Sequence, residues 1–206
     1  MNKRHLMVAF CTFIIFCILW MTYESPFIQA LDTLASNLLY GVHWITMFHY
    51  FGETKFIFVI SFIVLIFIGI RKRDYKLMLF VFMNVGIGFG LYQFLKYLIE
   101  RPRPDIIDQF STFSFPSGHA LHGLVYLLTI AYVFDHTSDR VINSKKNSRT
   151  VWITAIILIL FIGLSRITEG RHYASDVLAG WMLGYSWFIL SVWWYEQGNP
   201  LKNKKF

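Results

Sequence analysis

Charge and cysteine are what this 206-residue chain has least of. Only 15% of its residues are Asp, Glu, Lys or Arg and 56% are hydrophobic, against about 25% charged and about 45–50% apolar in soluble domains. That balance excludes an ordinary water-soluble globule, and with it disordered, collagen-like and coiled-coil chains. The two cysteines, Cys11 and Cys17, share one apolar stretch, which excludes a disulfide framework and a thiolate zinc site. What the chain has instead is 21 Phe, 11 Tyr and 7 Trp, more aromatic surface than a soluble exterior tolerates and a composition that lipid accepts.

Apolar runs at about 6–23, 55–70, 77–96, 116–134, 151–165 and 174–195 predict six transmembrane helices. The expected fold is all-α, a single integral-membrane domain covering 1–206. The second and fifth runs are short for a hydrocarbon core of about 30 Å, so their ends are expected to reach into 51–54 and 149–150. The first run follows Lys3, Arg4 and His5 with no small-residue cleavage site after it, which reads as a retained signal-anchor. Between the first two spans, Phe27, Leu31, Leu34 and Leu38 recur at helical spacing and predict a helix lying in the membrane interface.

A formal charge of +7 suits either nucleic acid or membrane loops, and its placement decides for the loops. The N-terminus, 71–76, 135–149 and the C-terminus carry 13 Lys/Arg and four acids, a net of +9, which predicts that both termini are cytoplasmic. The opposite side carries six Lys/Arg and eight acids. Five of those six cations fall in 96–103 and 166–171, a cluster on the side that ordinarily avoids cations.

Three segments explain that cluster as a phosphate site. Lys96 ends the third span, with Arg101 and Arg103 beyond it and Pro102 and Pro104 expected to stop the helix and stiffen the chain. Interfacial snorkelling accounts for one such cation better than for three. Phe115-Pro-Ser-Gly-His119 precedes the fourth span, so amides at Ser117, Gly118 and His119 can hold an anion at a helix start. Alone, such a segment is more often just a turn. In Ser165–Asp176, which also contains Arg166, an i,i+4 spacing lets Asp176 accept the Nδ1 proton of His172 and present Nε2 to a substrate. The bland alternative is a capping aspartate beside an unrelated histidine. The topology puts all three segments on one membrane face, where together they supply what metal-free phosphoryl transfer needs.

This pattern resembles the type 2 phosphatidic acid phosphatase family, membrane relatives of vanadium haloperoxidases and bacterial acid phosphatases. Its three signatures are matched by Lys96 with Arg103-Pro104, by Pro116 to His119, and by Ser165-Arg166 with His172 and Asp176. The resemblance implies a six-span, haloperoxidase-like helical bundle in the cytoplasmic membrane with its site on the outer face. It implies that His172 attacks phosphorus to give a phosphohistidine, that Asp176 orients it and that His119 protonates the leaving oxygen. Lys96, Arg103, Arg166, Ser117 and Gly118 would bind the phosphoryl oxygens, with no metal and no cofactor. The expected substrate is a membrane lipid phosphate or diphosphate, since similar small bacterial proteins act on undecaprenyl diphosphate, phosphatidylglycerophosphate, phosphatidic acid or lipid A phosphates. The expected partners are that lipid and the bilayer, with no nucleic acid and no obligate protein partner. Arg101, Glu169 and Arg171, outside the required positions, are candidates for head-group selectivity.

Other features receive plainer readings. His122 beside His119 is not taken as a metal pair, and His43 and His49 are read as interfacial anchors. Gly86, Gly88, Gly90, Gly180 and Gly184 are expected to permit close helix packing. Lys145, Lys146 and the Lys202–Lys205 tail are cytoplasmic charge. Two competing functions remain at this level: a lipid phosphotransferase using the same intermediate, and a non-catalytic lipid transporter or binder.

Overall fold

A computed structural model of the protein describes residues 3–137 and 144–197, and every regular element among these is helical. Helix α1 (Lys3–Thr22) turns into α2 (Pro26–Leu39) at Ser25, whose Oγ accepts the Ile28 amide at 3.4 Å while Pro26 occupies the first helical position. A short α3 (His43–Thr46) and a 3-10 turn (Met47–Gly52) lead to α4 (Thr54–Phe67), which a π turn (Ile68–Lys72) prolongs. Asp74 caps α5 (Tyr75–Phe82) by accepting the Leu77 amide at 2.9 Å. A second π turn (Met83–Ile87) joins α5 to α6 (Gly88–Ile99), making one rod of 25 residues. The remaining helices are α7 (Gly118–Thr137), α8 (Ser144–Thr168) and α9 (Ala174–Glu196).

Five rods are long and apolar enough to cross a membrane: Lys3–Thr22, Thr54–Lys72, Tyr75–Ile99, Asn147–Thr168 and Ala174–Glu196. The sixth expected span is α7, whose 20 residues give a rod of about 30 Å. Its composition differs because its surroundings differ. Thirteen of its residues are buried, against three of twenty in α1, since α8 and α9 pack along it and α4 touches it. His122 and Thr129 are buried inside the bundle, where the apolar rule for lipid-facing positions does not apply.

Lipid-facing positions follow the same logic in reverse. Phe10 on α1, Phe62 on α4 and Phe94 on α6 are exposed on the outside of the bundle. Helix α2 is inverted relative to a soluble amphipathic helix: Phe27, Leu31, Leu34 and Leu38 are exposed, and its buried residue is Asp32. An apolar face turned outward and an acid turned inward fit a helix lying against the membrane.

Boundaries depart from expectation in instructive ways. The two short spans do lengthen, to start at Thr54 and Ser144. The prolines do not themselves stop α6. It ends at Ile99, where Glu100 enters the left-handed region (φ 54°) and donates its amide to the Lys96 carbonyl. Arg101, preceding Pro102, is already barred from helix. Pro116 is not at a helix start either: the Phe115–Pro116 peptide is cis, and α7 begins two residues later. Of the five glycines expected in helix contacts, Gly88 packs under Trp187, while Gly180 and Gly184 pack against the Ser117 and Leu121 carbonyls of α7 and the turn before it. Gly86 and Gly90 meet no other helix. Arg140 and the Lys202–Lys205 tail, counted as cytoplasmic charge, lie outside the described residues, as do the side chains of Lys145 and Lys146.

The bundle has two polar ends. At one, Tyr195 meets His136 at 2.8 Å and Asp74 at 3.2 Å. At the other lie the ends of α6 and α8, the starts of α7 and α9 and the loops between them, which together carry every motif residue. A Cβ at Gly180 would come within 2.7 Å of the Ser117 carbonyl, so Gly180→Val should push the Pro116–His119 turn away from α9. A thermal melt in detergent should show a loss of about 1–3 kcal/mol of stability, with activity falling further than the folded fraction.

Candidate active site

Four helix ends, those of α6 and α8 and the starts of α7 and α9, and the two loops between them build the site. Tyr92 and Lys96 lie one turn apart on α6, and the buried ammonium donates to the phenol oxygen at 2.7 Å. Tyr92 in turn lies against Gly118, where a Cβ would meet its hydroxyl at 2.6 Å, so the Pro-Ser-Gly-His turn sits directly on the lysine's partner. Arg103 leaves α6 behind and is pinned by the loop: Nε donates to the Thr112 carbonyl at 2.7 Å and Nη2 to Thr112 Oγ1 at 3.1 Å. Its Nη1 donates to the Arg171 carbonyl at 2.6 Å.

The same Nη1 lies 3.1 Å from His172 Nε2. A guanidinium can only donate, so Nε2 must be the acceptor and the ring proton must sit on Nδ1. Nδ1 faces Asp176 Oδ2 at 3.4 Å, a loose contact of the kind that tightens when the ring gains charge. His172 is buried. Burial first, then the cationic field of Arg103, Arg166 and Lys96, holds its pKa well below the usual 6.5, with a hydrogen bond to the Ser114 backbone opposing. The result is a neutral imidazole with its Nε2 lone pair directed at a guanidinium.

Around it stand polar atoms without partners. Ser117 Oγ, His119 Nε2 and Arg166 Nε are buried and make no hydrogen bond, although such orphans cost about 1–3 kcal/mol each. The Ser117 amide, expected to hold the anion, is occupied, donating to the Asp176 carbonyl at 2.9 Å. The hydroxyl is the free group at Ser117, and the first-turn amides of α7 at Gly118 and His119 have no intrahelical acceptor. A Cβ at Gly52 would strike the His119 ring at 2.7 Å, so the 3-10 turn closes over this imidazole, and Glu53 Oε1 stands 3.8 Å from its Nε2. The arrangement brings cations, a hydroxyl, helix-start amides and two imidazoles, His119 and His172, to one end of the bundle. Among the described residues no three His, Cys, Asp or Glu side chains gather as a metal site. His122 lies instead in an aromatic setting, its ring 5.3 Å from Phe89 and 4.9 Å from Tyr92.

Residues 75–200 match the PAP2 superfamily. The chain belongs to that family. It is 33% identical over 204 residues, 93% of this chain and 97% of the other, to phosphatidylglycerophosphatase B of Bacillus subtilis. It is 31% identical over 144 residues, 65% of this chain and 62% of the other, to undecaprenyl-diphosphatase of Sulfolobus acidocaldarius. The crystal structure of a transmembrane PAP2-type phosphatidylglycerolphosphate phosphatase from Bacillus subtilis superimposes with a TM-score of 0.83 at 25% identity, covering 94% of this chain and 98% of that one. The protein is accordingly a multi-pass PAP2 membrane phosphatase with a substrate in the bilayer.

Within this PAP2 site the three residues expected at the head group make protein contacts. Arg101 is buried behind Asp176, not in front of it, donating to Asp176 Oδ1 at 2.6 Å, Ser175 Oγ at 2.7 Å and Asp32 Oδ2 at 2.9 Å. Glu169 Oε2 accepts Arg166 Nη1 at 2.7 Å and so fixes that guanidinium, and its other oxygen lies 2.9 Å from His49 Nδ1. Arg171 donates to the Asp108 carbonyl and lies over the Phe110 ring at 4.4 Å, bracing the 105–112 loop. His49, read as an anchor, therefore belongs to the site's rim, while His43 makes no contact there.

Sequence reasoning missed Asp32, Tyr92, Thr112 and Ser114. Two of them carried a signal: Tyr92 precedes Lys96 by one helical turn, and Asp32 is the only charged residue in α2. Thr112 and Ser114 lie in an irregular loop whose path no periodicity reveals.

Burial of neutral His172 has a measurable consequence. Its folded pKa lies below the unfolded value near 6.5, so as pH falls through that value the unfolded state takes up the proton first and stability declines. The melting temperature should drop between pH 7.5 and 5.5, and His172→Gln should remove part of that slope.

Proposed function

We propose that the protein is a metal-independent phosphatase that removes the terminal phosphate of a membrane lipid phosphate or diphosphate through a phosphohistidine. The observation that carries this reading is His172 Nε2 facing Arg103 at 3.1 Å at the end of the bundle where Ser117 Oγ, Arg166 Nε and His119 Nε2 are buried without a hydrogen bond. An anion with several oxygens satisfies all of them at once, and a phosphoryl group does so while placing phosphorus on the nucleophile.

In the first step Nε2 attacks phosphorus and the bond to the lipid oxygen breaks, with His119, protonated beside the Glu53 carboxylate, giving that oxygen a proton and becoming neutral. The imidazole becomes cationic, and Asp176 stabilises its Nδ1–H. Arg103 passes its donor from Nε2 to a phosphoryl oxygen, joining Lys96 and Arg166, so charge on the equatorial oxygens is neutralised by this chain's own side chains. In the second step His119, now a base, takes a proton from water as the water oxygen displaces Nε2, and phosphate leaves.

The substrate classes follow the relatives: a phosphatidylglycerophosphate-type lipid or a polyprenyl diphosphate. A cavity of about 390 Å³ beside His172, walled by Thr33, Ser36 and Asn37 of α2 and by Pro104 to Ile106, gives a head group room. The charge asymmetry of the loops orients the protein with both termini in the cytoplasm and the site on the outer face of the cytoplasmic membrane.

Purified in detergent with excess EDTA, the protein should release inorganic phosphate from one of these lipids. His172→Ala should lower kcat by about a thousandfold or more with its melting temperature and elution profile retained. Activity that persists in that variant, or that EDTA abolishes, contradicts the proposal.

A further inference from the structure

A chain of four ionisable groups runs from the interfacial helix to the nucleophile. Asp32 on α2 pairs with Arg101 Nη2 at 2.9 Å, Arg101 Nη1 pairs with Asp176 Oδ1 at 2.6 Å, and Asp176 Oδ2 faces His172 Nδ1 at 3.4 Å. Asp32, Arg101, Asp176 and His172 are all buried, and the rings of Tyr23 and Tyr173 lie beside the guanidinium at 4.8 and 4.1 Å. Asp32 also accepts the Ser175 amide at 2.8 Å and the Ser175 hydroxyl at 2.7 Å, which fixes the first turn of α9 where Asp176 stands.

The charges along this chain alternate. A guanidinium held by Asp176 alone would cancel most of the carboxylate's field at His172. With Asp32 on its other side, Arg101 is shared and the group as a whole keeps one net negative charge facing the imidazole. We propose that Asp32 is a positioning residue of this phosphatase: through Arg101 it sets how strongly Asp176 holds the Nδ1 proton of His172, and so ties α2 to the reactivity of the nucleophile. The inference rests on the reading of His172 as nucleophile. It extends the catalytic dyad to a helix outside the residues 75–200 that match the family.

The other charged or titratable groups facing His172 are Arg103 from the loop, Lys96 from α6, Arg166 from α8 and His119 from α7. All remain in place when Asp32 or Arg101 is replaced, so opposite substitutions should act with opposite sign. Asp32→Asn leaves Arg101 wholly to Asp176, weakens the carboxylate's pull on Nδ1–H and should move the acid limb of the kcat/KM profile to lower pH. Arg101→Gln frees the carboxylates and should move that limb to higher pH. Each shift should be about half a unit or more, with kcat down about tenfold and KM within about twofold of the parent. Asp32→Glu should restore both the limb and most of kcat.

The measurement is the pH profile of full-length protein in detergent, with folded fraction read by gel filtration and melting. Limbs that stay fixed in both folded variants, or move the same way, overturn the proposal. So does failure of both variants to fold, which would make the network a structural clamp. If only one folds, the sign of its shift decides. Activity retained by His172→Ala in the parent background would instead sink the underlying reading, and is scored separately.

Discussion

A buried guanidinium is tolerated only when its charge is answered, and that constraint organises the whole site end of this bundle. Arg101 and Arg166 are both buried, yet they are answered differently. Arg101 lies between two carboxylates, Asp176 and Asp32, with the rings of Tyr23 and Tyr173 beside it at 4.8 and 4.1 Å. Arg166 has Glu169 on one nitrogen and keeps its Nε unsatisfied. The first is an ion pair that holds Asp176, and the second leaves a donor that, in the proposed mechanism, an anionic substrate takes up. Helices α2 and α9 meet here through Arg101, to which they give Asp32 and Asp176, whereas Arg166 pairs with Glu169 at the end of α8 itself.

The same economy of partners prepares His172 for the nucleophilic role proposed for it. Arg103 is held by two carbonyls and a hydroxyl, so its Nη1 reaches His172 Nε2 from a fixed direction and selects the tautomer with the proton on Nδ1. In the proposed mechanism arriving phosphate takes over that donor and leaves the lone pair facing phosphorus. Tyr92 holds the Lys96 ammonium while resting on the small Gly118, and Gly52 lets the 3-10 turn come down on His119. Preorganisation of this kind costs stability in the empty site and lowers the barrier once the site is filled.

Much of this was legible in the sequence, for physical reasons. Lys96, Arg103, His119, Arg166, His172 and Asp176 sit at helix ends or beside them, and apolar runs fix helix ends to within a few residues, so their gathering at one pole follows from counting spans. The roles of Arg101, Glu169 and Arg171 were not legible, because exposure to a head group and burial against a carboxylate look alike in a string of letters. Asp32 was hidden for a related reason: periodicity located the apolar face of α2, but only packing shows that the acid beside Leu31 points at the core and reaches α9. Helix α7 is a similar case. Its apolar run reads like that of any other span, and only packing shows that it is the rod buried between α8 and α9, with His122 and Thr129 inside the bundle.

The account turns on a covalent bond between His172 Nε2 and phosphorus, formed inside a cage of this chain's own cations. Rapid acid-free quenching of the purified protein during turnover of a phosphorus-labelled lipid, followed by peptide mass spectrometry, tests it directly. Label carried by the peptide containing His172, lost on mild acid treatment and absent from His172→Ala, is the predicted result. Label on any other side chain, or turnover at full rate with none trapped while phosphate oxygen exchange points to direct attack by water, would contradict it.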